Sequence, residues 1–280
     1  MREAALRRAP IIAVCAAWLA AAPALGQAPP SPPDAELQPW PYPPPDPQLW
    51  WSEDWPAPPE ARDPLAGRRV DRWGAPAAVD NGVDPLLYRL WDLPPLQSQI
   101  LYGDELVAEV WMRPSGTVRQ AVARVVLRRD GKGFVQARAG LACCAPAIQR
   151  RVEIDAELPP EAVGPLRALA DDPLWKAPRF VRVAEGGGAA DAVCVDGAAY
   201  DLTLMTARGA VAEHRACDPA AVGQAADVLA AVLGAALGHD PRFDVIFPGG
   251  ADFSREKSAY QALTAQGGAL RAAPPAGAGP

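Results

Sequence analysis

The sequence predicts an α+β fold, with an antiparallel, hairpin-rich sheet, a long C-terminal Ala-rich helix packed on it and a Pro/Trp-rich irregular N-terminal arm. Residues 105–155 alternate apolar and polar side chains and contain an Asp-Gly-Lys-Gly turn at residues 130–133. A second hairpin is centred on residues 208–209, and an alanine-rich stretch at 219–237 follows Asp218, which is a helix-capping residue. Hairpins with segregated helices, instead of alternating strands and helices, are typical of α+β domains.

The predicted elements follow one another along the chain. A short helix begins at Asp84-Pro85, which supplies a cap and a first-turn proline, and it ends before Pro94-Pro95. The predicted strands are residues 106–113, 118–129, 134–139, 148–155, 179–184, 191–196, 200–207 and 210–217. Residues 179–184 and 191–196 flank three glycines and are predicted to pair with each other. The later predicted helices are residues 160–171, residues 219–237 with a left-handed stop at Gly238, and residues 253–265.

The register of the last hairpin follows from its turn. If Ala207 lies opposite Ala210, then His214 lies opposite Thr203. One face of this hairpin is then expected to be core, and it carries Tyr200, Leu202, Leu204, Val211 and Cys217. The other face is expected to be more polar, and it carries Asp201, Thr203, Ala212 and His214.

These patterns divide the chain into four parts. They are a signal peptide at residues 1–26, a Pro/Trp-rich extended or disordered arm at 27–79, an α+β domain at 80–247, and a tail at 248–280 with a disordered end from Gly267. A domain of this size buries about 70% of the surface that its unfolded chain exposes, so its core need not depend on disulfides.

The N-terminal residues are typical of an export signal. Arg2, Arg7 and Arg8 precede an apolar run, and small residues at 24 and 26 predict cleavage before Gln27. The alternative is a retained anchor, but the run is shorter than the roughly 20 residues that cross a bilayer. We therefore expect a periplasmic or secreted protein that has no transmembrane span once the leader is cleaved.

Four cysteines follow the leader, and an exported chain is expected to oxidise them. They are Cys143, Cys144, Cys194 and Cys217. Four cysteines allow three connectivities. Pairing of Cys194 with Cys217 is slightly preferred, and it requires Cys194 to lie in a bend. In the alternatives Cys143 and Cys144 each reach a different partner.

The arm combines prolines with aromatic residues. Residues 27–64 hold 14 of the 33 prolines, which favours polyproline II or disorder. Trp50, Trp51 and Trp55 lie in the same stretch, although plain linkers are poor in aromatic residues. The arm is therefore predicted either to wrap against the folded domain or to dock an envelope partner through these rings.

Composition and motifs argue against several functions. The net charge of −6 argues against a general nucleic-acid binder, because phosphate neutralisation needs a basic surface. The two histidines, His214 and His239, do not stand in a metal-binding spacing, and we expect no metal and no cofactor. A hydrolase that uses His239 with Asp240 and Asp244, or His214, is the enzymatic alternative.

One block of the sequence is strongly basic. Residues 113–151 hold nine basic residues and one acidic residue, and the candidate anion-binding face carries Arg124, Arg128, Lys132 and Arg138. The alternative is a solvated sheet face that the acidic N-terminal segment partly neutralises. An anionic envelope component or an acidic protein is the partner that this face would bind.

The sequence resembles no family that we recognise, and it indicates an exported, non-enzymatic binding or scaffolding protein. A periplasmic inhibitor or chaperone-like module, presenting a sheet edge or a disulfide-braced loop to a protein partner, is the first alternative. The hydrolase is the second. A histidine beside a carboxylate in a pocket would favour the hydrolase, whereas a flat sheet with separated histidines would favour the other two.

Overall fold

A computed structural model describes most of the predicted domain and part of its N-terminal arm. The described residues are 59–68, 80–84, 87–88, 91–114, 119–141, 149–184, 197–239, 243 and 251–274.

The centre of the molecule is a six-stranded antiparallel sheet, which confirms the α+β class. Its strand order is β4-β3-β2-β1-β6-β7, and a separate two-stranded sheet joins β5 to β8. The strands are β1 (Leu106–Pro114), β2 (Arg119–Leu127), β3 (Gly133–Leu141), β4 (Gln149–Glu157), β5 (Val181–Ala184), β6 (Ala198–Thr206), β7 (Gly209–Ala216) and β8 (Ala269–Ala272). Except for β8, each strand lies close to a predicted one, because its β-branched and alternating residues suit a pleated sheet.

Helices cover one face of the sheet, except for the first, which belongs to the N-terminal segment on the other face. They are α1 (Pro59–Arg62), α2 (Pro160–Ala168), α3 (Pro219–Gln224), α4 (Ala226–Leu237) and α5 (Ser254–Ala265), with short 3₁₀ turns at Leu96–Ser98, Leu169–Asp171 and Pro173–Lys176. Helix α4 packs on β1, β2 and β3 through a buried stripe formed by Val228, Leu229, Val232, Leu233 and Ala236. This i, i+4 spacing places the apolar side chains on one side of the helix.

The described residues between 59 and 101 cover the opposite face. Their buried side chains form one cluster with the sheet residues Val107, Trp111, Val122 and Val126. Tyr88 and Trp91 both meet Trp111 edge to face, with ring centroids 5.4 and 6.3 Å apart. Both faces of the sheet are therefore packed, and its two edges remain.

The predicted helix 219–237 is two helices. Asp218 accepts hydrogen bonds from the N–H groups of Ala220 and Ala221, which confirms it as the cap of α3. The helical path is interrupted at Ala225, where φ is −95° and ψ is 1°. The left-handed stop predicted at Gly238 is wrong, since φ there is −71°.

The C-terminal tail departs from its prediction. Residues 269–272 form β8, whereas the sequence predicts disorder from Gly267. Four residues, two of them alanine, show too little alternation of apolar and polar side chains to indicate a strand. The backbone hydrogen bonds of β8 are made with β5, which is distant in the sequence. The predicted partner of β5, residues 191–196, lies outside the described residues.

The register predicted for the last hairpin is wrong by two residues. Thr206 lies opposite Gly209, and therefore Asp201 lies opposite His214. An even shift keeps each side chain on its predicted face. The burial is nevertheless reversed in part: Asp201 is buried, because the N-terminal segment covers the polar face, and Val211 is 40% exposed although core was predicted.

None of the described helices combines the length and the apolar character that a membrane crossing requires.

Acid will weaken the attachment of the N-terminal segment at Glu105. Burial raises the pKa of this carboxyl, but hydrogen bonds from Arg68 and from the Tyr102 N–H outweigh burial and hold that pKa below 4.5. The stability that this ion pair contributes is therefore present above pH 4.5 and is lost as the pH falls through the lower, folded-state pKa. Between about pH 5 and pH 3, the free energy of unfolding should fall more steeply for the wild type than for E105Q.

Urea titrations at each pH measure this difference. R68Q removes the same ion pair from its other side and should flatten the profile in the same way. Parallel profiles for the wild type and both variants would contradict the expectation.

Candidate functional site

The outer edge of β7 is open along part of its length. The N–H of His214 donates to the carbonyl of Arg179 at 2.8 Å, so this residue turns its backbone groups away from β6. Because such groups alternate along an antiparallel strand, the N–H and C=O of Ala210 and Ala212 point outward too. In the described part of the chain nothing pairs with them on that side, where β7 ends the sheet.

The two edges of the sheet differ in charge. Strand β4 carries Glu153, Asp155 and Glu157, and inward or flanking charge of this kind discourages the addition of another strand. The open stretch of β7 reads Gly-Ala-Val-Ala from residue 209 to residue 212 and has no charge. Of the two edges of the six-stranded sheet, the described part of β7 is therefore the one with the features of a strand-accepting surface.

Two exposed apolar side chains lie beside this edge. Val211 is 40% exposed and Phe180 is 48% exposed. The ring centroid of Phe180 is 5.4 Å from that of His214, and the Arg179 guanidinium lies 5.0 Å from the Phe180 centroid. Exposed aromatic and β-branched side chains are a common feature of contact surfaces.

A histidine and a carboxylate meet next to Phe180. The Nδ1 of His214 is 2.7 Å from Oδ1 of Asp201, on adjacent strands. Asp201 is 4% exposed in its side chain, and its other oxygen accepts a hydrogen bond from Arg113. When the neutral ring donates from Nδ1, its Nε2 is left as the proton acceptor. This is the pairing that the enzymatic alternative requires of His214.

The described serines lie on elements other than the two strands of this pair. Ser98 lies in a 3₁₀ turn, and Ser254 and Ser258 lie on α5. Thr203 shares the face of Asp201, but it is fully buried and accepts a hydrogen bond from Asn81. His239 lies just beyond α4, while His214 lies on β7, so the two histidines belong to different elements.

Of the four residues of the predicted anion-binding face, Arg124 is fully buried. Its Nε donates to Oε2 of Glu109 at 2.7 Å, and its Nη2 lies 2.6 Å from the same oxygen outside hydrogen-bond geometry. The hydroxyl of Tyr88 and the indole N–H of Trp111 both donate to Oε1 of Glu109, at 2.6 and 2.7 Å. Burial, and then the nearby Glu109, raise the pKa of Tyr88, which keeps its hydroxyl protonated as a donor.

The other three residues of that face are neutralised within the chain. Arg138 is buried and donates to both oxygens of Asp155, whose pKa burial raises. Arg128 and Lys132 remain partly exposed, and both contact Glu60 of α1. Among the described residues the four side chains therefore do not form one open basic surface, and Glu60 of the N-terminal segment contacts two of them.

Two other arginines stand without such a counter-charge. Arg182 of β5 lies directly opposite Arg271 of β8, and neither has a carboxylate partner among the described residues. The pairing of these two arginines could not be predicted from the sequence, because β8 is not among the predicted strands. The contact between Asp201 and His214 could not be predicted either, because the predicted register places Thr203 opposite His214.

Several predicted site residues lie outside the described residues. They are Trp50, Trp51, Trp55, Cys143, Cys144, Cys194, Asp240 and Asp244. Cys217 lies just after β7 with a positive φ of 67° and belongs to a disulfide. Its partner is not among the described residues, so the connectivity remains a prediction. In the described ranges no three metal-ligating side chains are grouped in a way that could hold an ion.

No family model, curated protein or solved structure matches this chain.

Loss of the Glu109 charge should strongly destabilise the protein. E109Q leaves the Arg124 guanidinium buried without a counter-charge, and we expect a loss of about 3–5 kcal/mol in the free energy of unfolding. D104N breaks the exposed pair with Arg167 and should cost only about 0–1 kcal/mol. Urea denaturation measures both.

The double variant E109Q/R124M tests whether the loss comes from this pair. Because it removes both charges, it should be more stable than E109Q alone. Additive losses from the two substitutions would show that they do not act through each other.

Proposed function

We propose that this protein is an exported, non-enzymatic binding protein that receives an extended segment of a protein partner on the open edge of β7. The observation that carries this proposal is the outward-facing backbone of Ala210 and Ala212 in an uncharged stretch of strand. An added strand would hydrogen-bond to these groups and continue the sheet.

The side chains around the edge indicate what kind of segment fits. The alanines at 210 and 212 are small, so a second backbone can approach closely. The exposed Val211 favours an apolar residue opposite it, and Phe180 supplies a further apolar contact near the end of the open stretch. The hydrogen bond from His214 to Arg179 closes the edge, so the contact spans about four or five residues.

Export is supported by the predicted leader and by the disulfide at Cys217, since disulfides persist in oxidising compartments. A disulfide directly after β7 would also brace the end of the strand that carries the contact surface. The proposed contact shares one feature with the inhibitor or chaperone-like alternative, which also presents a sheet edge to a protein partner.

A proline at position 212 should strongly weaken partner binding. A212P removes an outward N–H but keeps the hydrogen bonds between β7 and β6, because the backbone N–H and C=O of Ala212 point away from β6. The partner that wild-type protein captures from envelope extracts is purified and titrated against each variant. We expect A212P to bind it at least about tenfold more weakly than wild type, and A212G to bind almost as tightly.

Hydrogen exchange locates the contact. In the purified complex, the amides of residues 209–213 should exchange more slowly than in the free protein. Equal affinity of A212P and A212G, with no protection at these amides, would place the contact elsewhere and overturn the proposal.

The pair of Asp201 and His214 favours one second candidate, a hydrolase in which Nε2 of His214 acts as general base. On the binding proposal, wild-type protein hydrolyses activated esters and peptides no faster than H214A. Turnover that is lost in both H214A and D201N, but retained in H239A, would establish the hydrolase and remove the non-enzymatic assignment.

A further inference from the structure

We propose that Arg182 and Arg271 together bind a phosphate group, at a site separate from the β7 edge. The two residues are directly opposite each other in the antiparallel pair of β5 and β8. Directly opposed side chains lie on the same side of a sheet with their Cβ atoms about 5 Å apart. Two guanidinium groups in this position repel each other.

Arg182 is half-buried and Arg271 is exposed. Within the described residues, Arg182 differs from the other arginines that are buried or half-buried. Arg124, Arg138 and Arg215 each contact a carboxylate of the chain. Arg182 contacts none, and its Nε is buried without a hydrogen-bond partner. Burial shields Nε from an external ligand, but the Nη groups of Arg182 are not among the buried unpaired atoms, so an external acceptor would bind there.

The sheet that carries the pair is too small to tolerate the repulsion easily. It has two strands of four residues each, and a ladder of this size is marginal by itself. The like charges lie in its interior rather than at a frayed end. A bound counter-ion would convert this repulsion into a contact that links the two strands.

A phosphate monoester fits this pair better than a carboxylate does. It carries up to two negative charges and several acceptor oxygens, so each guanidinium can take its own oxygens, whereas a carboxylate matches one guanidinium fork.

Titration calorimetry at low ionic strength tests the site with inorganic phosphate as the probe. We expect wild-type protein to bind phosphate, R182Q and R271Q to bind it at least tenfold more weakly, and R271K to be intermediate because it keeps the charge but loses the fork. R255Q removes an exposed arginine of α5 and should bind like the wild type. No binding by wild type, or equal binding by all variants, would overturn the proposal.

Thermal unfolding distinguishes a lost site from a damaged fold. In phosphate-free buffer R271Q should unfold at the same temperature as wild type or higher, since it relieves the repulsion. Added phosphate should raise the midpoint of the wild type and leave that of R271Q unchanged. A lower midpoint for R271Q without phosphate would show that the arginine stabilises the fold by itself and would contradict the proposal.

Vesicles distinguish the two sources of the phosphate group. If the ligand is a lipid headgroup, wild-type protein will sediment with phosphatidylcholine vesicles that contain phosphatidate, and R182Q will not. If it is a soluble phosphate ester, wild-type protein will bind free phosphate in the calorimeter but will stay in the supernatant with phosphatidylcholine vesicles, whether or not they contain phosphatidate. Sedimentation of R182Q at the wild-type level would show that other residues bind the membrane.

Discussion

The arrangement of the sheet and the N-terminal segment depends on the hydrogen bonds that the buried carboxylate of Glu109 accepts. This carboxylate is fully buried in the central strand β1 and accepts hydrogen bonds from Tyr88, Trp111 and Arg124. One of these donors belongs to the N-terminal segment, one to the same strand and one to the neighbouring strand β2. A buried carboxylate with several donors fixes their relative positions, because each lost hydrogen bond would leave a charge or a dipole unpaired in the interior.

This polar centre explains why a basic stretch of sequence does not become a basic surface. Arg124 and Arg138 point from the sheet toward the N-terminal segment, and carboxylates on neighbouring strands neutralise both. Glu60 of that segment does the same for Arg128 and Lys132 at the edge. With helices on one face and this segment on the other, the surface available to a partner is displaced to the end of the sheet and to the small sheet beside it.

The extent to which the sequence predicts this structure follows from the range of each interaction. Strands such as Leu106–Pro114 and the cap at Asp218 depend on neighbours close in the chain, and residue patterns indicate them. The burial of Asp201, the pairing of Val181–Ala184 with Ala269–Ala272 and the exposure of Val211 depend on segments far apart in the sequence. The candidate site consists of such long-range juxtapositions, and for that reason its residues are largely not the predicted ones.

The asymmetry between the two edges has a consequence for assembly. If strands add at β7 and not at the charged β4 edge, copies of the chain cannot join head to tail, because that contact would require the β4 edge of one copy to meet the β7 edge of the next. Even two copies that met through their β7 strands would form a closed pair about a two-fold axis rather than a fibre. Any complex built on this edge is thereby limited to one partner for each molecule.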